Sequence, residues 1–239
     1  MPDALTDALD LLSRSDIDPG HMLGVVHRLT ARPSLDLLLR RMLSDATFLA
    51  DVSAMSVRHA NGFDKLVLAT GHGYQIRLHV WHCTEGVGGR ALENAHSHRW
   101  CFATRILTGS YTAWTFVPRP GADFEHYAYS PGARVDDYAM EFVGGSNLEV
   151  TSVADHQAGS MYWLDPSTVH RVSPGDSARL SSSLLVIAPP TKQSTNVFVP
   201  VAAFASAQPV GAADHMPMTT DDVLRSLEAL AVALGVFLA

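Results

Sequence analysis

The sequence predicts a mainly β protein, a sandwich or barrel of short antiparallel strands with helices before and after it. Three observations carry this. The apolar period changes from about 3.6 to about 2 near Asp64. A series of short alternating segments follows, each closed by glycine, proline or serine. No GxGxxG or P-loop pattern marks a parallel βαβ sheet, and no internal repeat is present. With 239 residues the chain is long enough for one well-cored domain. The predicted parts of that domain are a helical segment over 1–59 packed on the barrel, the barrel over 60–200, and an irregular wrap with a closing helix over 201–239.

The first helical stretch follows from apolar spacing through Ala4, Leu5, Leu11 and Leu12, then Met22, Leu23 and Val26. A further helix follows Pro33, with Ser34 as N-cap and Leu35, Leu38, Leu39, Met42 and Leu43 on one face. Arg40, Arg41 and Arg58 read as solvated surface. Lys65–Ala69 and Tyr74–His82 then alternate, punctuated by Gly71, Gly73, Gly86, Gly88 and Gly89. Strands continue over Arg99–Pro118, Phe124–Ser130, Met140–Val153, Met161–Leu164 and Ser181–Ala188. Thr108-Gly109-Ser110, Pro131-Gly132, Gly144-Gly145-Ser146 and Pro174-Gly175-Asp176 are the predicted turns. Beyond Pro200 a stretch rich in alanine, proline and glycine reads as a loop. Thr219 to Asp222 then offers an N-cap and acidic first turn to a helix whose stripe is Val223, Leu224, Leu227, Leu230, Ala231 and Leu234.

A formal charge of −7 argues against a nucleic-acid or anionic-membrane surface. Lys65 and Lys192 are the only lysines. Cys83 and Cys101 are too few for a disulfide framework and lie in strand-like segments, so both are expected as buried free thiols in a reducing compartment. The start lacks a basic and apolar leader, and the apolar tail is too short to span a bilayer and is interrupted by Glu228. A cytoplasmic protein is the expectation.

The chemistry concentrates in three histidines. His96 and His98 are two apart, so on a strand both rings face one side. His170 follows a glycine, an aromatic strand and a proline turn. Three neutral imidazoles converging from neighbouring strands hold a divalent metal and leave open coordination positions. His79 and His82 must face opposite ways, and His27, His59, His72, His126, His156 and His215 have no spacing that recommends them.

These residues resemble the cupin superfamily. Its first motif has a histidine-x-histidine pair, a glutamate four residues later and a glycine seven beyond that; His96, His98 and Gly109 match, with Phe102 in the glutamate position. In the second motif Gly159 and His170 match, while Asp165 and Ser167 replace its proline and glycine and Pro166 shifts the turn by one place. The resemblance covers roughly residues 60–190 and implies a cupin-type β-barrel or jelly roll, commonly dimeric. The three-histidine pattern is similar to the thiol dioxygenase branch, such as cysteine dioxygenase, in which ferrous iron binds substrate and oxygen together. Ser183-Leu-Leu-Val-Ile-Ala-Pro-Pro190 looks like that branch's strand ending in a double proline. However, Leu185 and Ile187 fill the histidine and tyrosine positions of its serine-x-histidine-tyrosine set, and Ala103 stands where its crosslinking cysteine lies. This argues against cysteine as substrate. Without the motif glutamate, three neutral ligands leave the ion its full charge, which favours an anionic, chelating substrate or a bound hydroxide.

Strand parity places Trp100, Phe102, Thr104 and Ile106 on the side of His96 and His98, as an apolar and aromatic pocket wall that binds substrate. Arg77, His79 and Trp81 share a face; facing inward, Arg77 pairs with a substrate carboxylate. Tyr111 and Tyr162 are further catalytic candidates, and Glu93 a neighbour of the metal or of the pocket mouth. The leading expectation is an Fe(II) oxygenase taking a small molecule and dioxygen. Zn(II), or another ion such as Ni(II), Mn(II) or Co(II), would instead suit Lewis-acid isomerase, lyase or nitrogen–nitrogen bond-forming chemistry. A non-catalytic binding barrel is the third reading.

Overall fold

A computed structural model describes residues 1–14, 18–59, 61–83, 93–131, 138–175, 178–202 and 215–236. Four helices come first: α1 (Asp3–Ser13), α2 (Pro19–Thr30), α3 (Arg32–Ser44) and α4 (Ala46–Met55). Asp18 and Asp45 cap α2 and α4 by accepting hydrogen bonds from the backbone N–H groups of His21 and Phe48. Ser34 is not a cap. The helix α3 starts three residues earlier, after Ala31, because Pro33, with no N–H to satisfy, sits in its first turn. The helix α4 was not foreseen as a separate element.

The strands are β1 (Val57–His59), β2 (Phe63–Gly71), β3 (Tyr74–Trp81), β4 (Ala95–His96), β5 (Phe102–Thr108), β6 (Ser110–Pro131), β7 (Tyr138–Gln157), β8 (Met161–Leu164), β9 (Val169–Pro174), β10 (Ser181–Ile187), β11 (Thr195–Pro200) and β12 (Met216–Pro217), and α5 (Thr220–Leu234) closes the chain. They form two antiparallel sheets, β12-β1-β2-β3-β10-β5-β8 and β11-β4-β9-β6-β7. The protein is thus mainly β, with helices at both ends, as expected. Among the described residues no helix is long and apolar enough to cross a membrane.

One glycine-marked turn is a real reversal, and another, at Gly109, is a bend that carries the chain from one sheet to the other. His72 and Gly73, at φ 53° and 82°, make the two-residue hairpin between β2 and β3. Gly109, at φ 66°, separates β5 from β6, and a Cβ there would lie 2.3 Å from Ser181 Oγ. Gly144-Gly145-Ser146 is not a turn, and Arg99–Pro118 and Phe124–Ser130 are not two separate strands. The chain runs as a long β6/β7 ribbon from Ser110↔Gln157 to Pro131↔Tyr138. Its register shifts between Arg119 and Phe124, and there a Cβ on Gly145 would meet the Gly121 carbonyl at 2.7 Å. The glycines permit a close crossing of two strands. Gly86, Gly88, Gly89, Gly132, Asp176 and most of the predicted wrap lie outside the described residues.

The main core lies between the helices and one face of the seven-stranded sheet. Leu5, Leu12, Met22, Leu38 and Phe48 pack there with Leu66, Ile76, Leu78, Leu184 and Val186. Alternation then turns Lys65, Arg77, His79, Leu185 and Phe102 to the other face, the barrel interior. Cys101 is buried in the helix-side core, but Cys83 is exposed because β3 ends at Trp81, before it.

The helix α5 is anchored through Asp64, whose side chain is 4% exposed. Asp64 accepts from Arg58 Nε (3.2 Å), His82 Nε2 (2.8 Å) and Ser226 Oγ of α5 (2.7 Å). Burial alone pushes the carboxyl up, toward the neutral form, but the His82, Ser226 and Arg58 hydrogen bonds outweigh it and hold it below its usual range. A Thr219–Asp222 capping box and Gly235 at φ 67° define the helix ends. Asp64→Ala removes three hydrogen bonds at once, although Arg58 keeps Asp222 and Ser226 keeps the Asp222 carbonyl, and is expected to lower stability by about 1–3 kcal/mol in urea unfolding at neutral pH. The folded carboxyl titrates below its unfolded value of about 4, so its contribution is complete above that pH and fades as pH falls through the folded value. Unfolding curves of the variant and the parent should converge in acid.

Candidate metal centre

His96 and His170 face each other across the β4/β9 pair. Their chain neighbours Ala95 and Val169 point the other way, into a small core with Phe116 and Phe198, and this locks both imidazoles inward. Ser97 is fully buried between the two motif histidines. Its N–H donates to the Asn196 carbonyl at 2.9 Å, and its Oγ accepts from Asn196 N at 3.0 Å. His98 N donates to the Pro166 carbonyl at 3.3 Å. The turn into β9 is closed by Asp165, whose carboxylate accepts from Ser167 N at 2.7 Å; the displaced motif proline is replaced by an aspartate turn.

The three rings form a near-equilateral triangle, with centroids 4.8, 4.9 and 5.0 Å apart. One nitrogen from each lies within 4.8 Å of the others, and the Nε2 atoms of His98 and His170 are 2.9 Å apart. His96 Nδ1 donates to the Asn94 carbonyl at 2.9 Å, which leaves its Nε2 lone pair for a ligand. Burial, and then the neighbouring His96 and His170, hold His98 well below the usual histidine range; burial and His96 do the same to His170. Neutral imidazoles with convergent lone pairs are the donor set of a divalent transition metal, and these residues fit one.

A carboxylate also stands beside them. Glu93 Oε1 is 3.9 Å from His96 Nε2, the nitrogen left for a metal. The same oxygen accepts from Asn61 Nδ2 at 3.0 Å, and Oε2 accepts from Val172 N at 2.9 Å. The charge that Phe102 cannot supply from the motif position is thus offered from upstream of the histidine pair.

Around the triangle, Phe102 stands edge-on to His98 and Trp100 stacks on it, with centroids at 5.4 and 5.9 Å. Phe102 packs with Leu185 and Ile187, so the positions that diverge from the thiol dioxygenase pattern form an apolar wall. Arg77 faces inward, its guanidinium 5.5 Å from the Trp100 ring and donating to Gln75 Oε1. Tyr111 and Tyr162 share a 2.7 Å hydroxyl–hydroxyl hydrogen bond. Thr104 is buried, and its hydroxyl donates to the Leu184 carbonyl at 3.1 Å, so it braces the wall instead of presenting a free polar group. His79 faces inward, while His82 binds Asp64 on the helix side.

Sequence reasoning passed over three residues in this interior. His59 stacks on Phe63 and against His215, and burial followed by His215 takes it down to about 2. His156 stacks on Tyr162 at 4.5 Å. Lys65 faces inward opposite His79. The parity of Lys65 with Phe63 was available in the sequence, but the inward side of β2 was not.

No family model matches the chain, and no curated protein matches it. Among solved structures, a cupin-2 domain protein from Shewanella frigidimarina is similar over 52% of this chain and 78% of its own, at 13% identity and a TM-score of 0.29. An RmlC-like cupin with a double-stranded β-helix fold from Methanocaldococcus jannaschii is similar over 53% and 78%, at 12% identity and a TM-score of 0.30. A hydroquinone 1,2-dioxygenase, solved with Cd²⁺ and 4-hydroxybenzonitrile, is similar over 64% and 77%, at 11% identity and a TM-score of 0.33.

His98→Ala is expected to abolish stoichiometric binding of Zn(II) or Fe(II), measured by metal analysis after dialysis. Glu93→Gln, which keeps the side-chain size but removes the charge, should retain the metal with roughly ten- to hundredfold weaker affinity in a chelator competition. Unchanged affinity would mean that Glu93 only ties Asn61 to β9.

Proposed function

We propose that this chain is a metal-dependent cupin enzyme, a mononuclear non-haem Fe(II) oxygenase acting on a small, chelating, carboxylate-bearing metabolite. The observation that carries the reading is the convergence of three neutral imidazoles inside a barrel, beside an inward arginine on an aromatic wall. His96, His98 and His170 would hold the ion, with Glu93 at its edge. Bound there, ferrous iron would supply binding and activation of dioxygen at positions the protein leaves open.

The remaining work belongs to this chain's own groups. Arg77, steadied by Gln75 and the Trp100 ring, pairs with the substrate carboxylate and sets its orientation. Phe102, Leu185 and Ile187 exclude water from that side. Burial raises the Tyr111 hydroxyl well above the usual tyrosine range and pushes Tyr162 up to about 12. The pair therefore stays protonated at neutral pH and offers a hydrogen-bond donor and a route for one proton between two oxygens 2.7 Å apart.

The test is anaerobic reconstitution with Fe(II), followed by oxygen-electrode measurements across a panel of small carboxylic acids. Substrate-dependent oxygen uptake that disappears in His98→Ala and falls in Arg77→Met is the expected result. Tight zinc retention with no oxygen uptake would replace this reading by Lewis-acid chemistry at the same residues. Failure to retain Fe(II), Zn(II), Ni(II), Mn(II) or Co(II) would leave a binding barrel.

A further inference from the structure

The interior of the seven-stranded sheet holds a cationic group that the metal site does not use. On β2, Leu66 and Leu68 enter the helix-side core, so Lys65 points to the barrel interior. It lies directly across from His79, while Val67 lies across from Arg77. Lys65 and Arg77 are therefore diagonal neighbours on one face, about 7–8 Å apart at the backbone and within reach of one another's long side chains. Phe63 stands next to Lys65 on that face, against His79 and Trp81.

Two features of this cluster point to a missing anion. Among the described residues, the Lys65 ammonium has neither a hydrogen bond nor an ion pair. His79 Nε2 is buried with no hydrogen-bond partner. Burial and the Arg77 charge together lower Lys65 to about 8, which reports an ammonium that its surroundings do not compensate. Of the nearby carboxylates, Asp64 faces the helix side with Arg58, His82 and Ser226. Glu93 is held by Asn61 and Val172 beside His96. An unpaired cation and an orphaned ring nitrogen on one interior wall are unfavourable unless a ligand completes them.

We propose that Lys65 and His79, next to Arg77, form an anion subsite that takes a second acid group of the substrate, so that the substrate class is a dianion such as a dicarboxylate. This rests on the metal-centre reading for the position of the substrate's other end. Lys65 gives the charge, His79 Nε2 a hydrogen bond, and Phe63 and Trp81 the apolar walls that exclude water from the pair.

The experiment is calorimetric titration of malonate, succinate and glutarate, each against the monocarboxylate of equal carbon number, into Zn(II)-loaded and metal-stripped protein. At least one dianion is expected to bind about tenfold or more tightly than its monoanion. Lys65→Met should shrink that gap to about twofold or less while retaining zinc and circular dichroism, and Lys65→Arg should keep most of it. Because Lys65→Met removes a partly buried charge that has no protein partner among the described residues, its ligand-free form should melt no lower than the parent. No dianion preference in the parent, or a preference that survives Lys65→Met, overturns the subsite. If zinc does not bind but stripped protein keeps a Lys65-dependent preference, the metal reading falls and the subsite stands. If zinc binds and no preference appears, the reverse holds.

Discussion

Strand β10 runs between β3 and β5 and is buried along its whole length, and that double burial organises the molecule. Leu184 and Val186 face the helices, whereas Leu185 and Ile187 face the barrel interior with Phe102. Each face needs a cover. Helices α1 to α5 supply one, through α2 across β5, β8 and β10 and through α1 and α4 across β2. The second sheet supplies the other and brings the histidines with it. Because one side of the sheet is sealed by helices, every polar group on its opposite side is committed to the interior. Gln75, Arg77, His79 and Lys65 are not surface residues that happen to lie near a site; they are its wall.

The interior combines groups that oppose one another unless a ligand is bound. His98 and His170 are kept neutral by burial, with their nitrogens turned to a common point. Lys65 and Arg77 share a face and repel each other. A divalent ion would satisfy the first group and, on the proposal above, an anion the second, each making the other more favourable by charge. Glu93 would temper such an ion's charge only from the edge. The stability of the barrel rests instead on the helix-side core and the Asp64 hydrogen bonds.

The divergence from the thiol dioxygenase pattern also acquires a physical form. The two positions that carry histidine and tyrosine there are Leu185 and Ile187 here, and they close an apolar wall around Phe102. The hydroxyl pair of this interior comes from other strands, Tyr111 on β6 and Tyr162 on β8. The hydroxyl pair and the apolar wall thus stand on different strands around the triangle of imidazoles.

Much was readable from local pattern. The change of period near Asp64, the hairpin at 71–73, the Thr219–Asp222 cap and the spacing of His96, His98 and His170 are properties of neighbouring residues; Phe102 does lie against His98, but the chain from Ser97 to Cys101 is not strand, so alternation is not what puts it there. One failure needed a partner distant in sequence, and two were local. Gly144-Gly145 resembles a turn until Gly121 lies against it, and Ser34 resembles a cap until Pro33 is seen to start the helix. Cys83 resembles a strand residue until β3 is seen to end before it. The sequence by itself determined the alternation, the 71–73 hairpin and the histidine spacing, because these depend on backbone geometry over a few residues. Only the tertiary structure decided which face of each strand is inside, and so that Lys65, Arg77 and His79 meet within the barrel, because that choice is made by which face the helices cover.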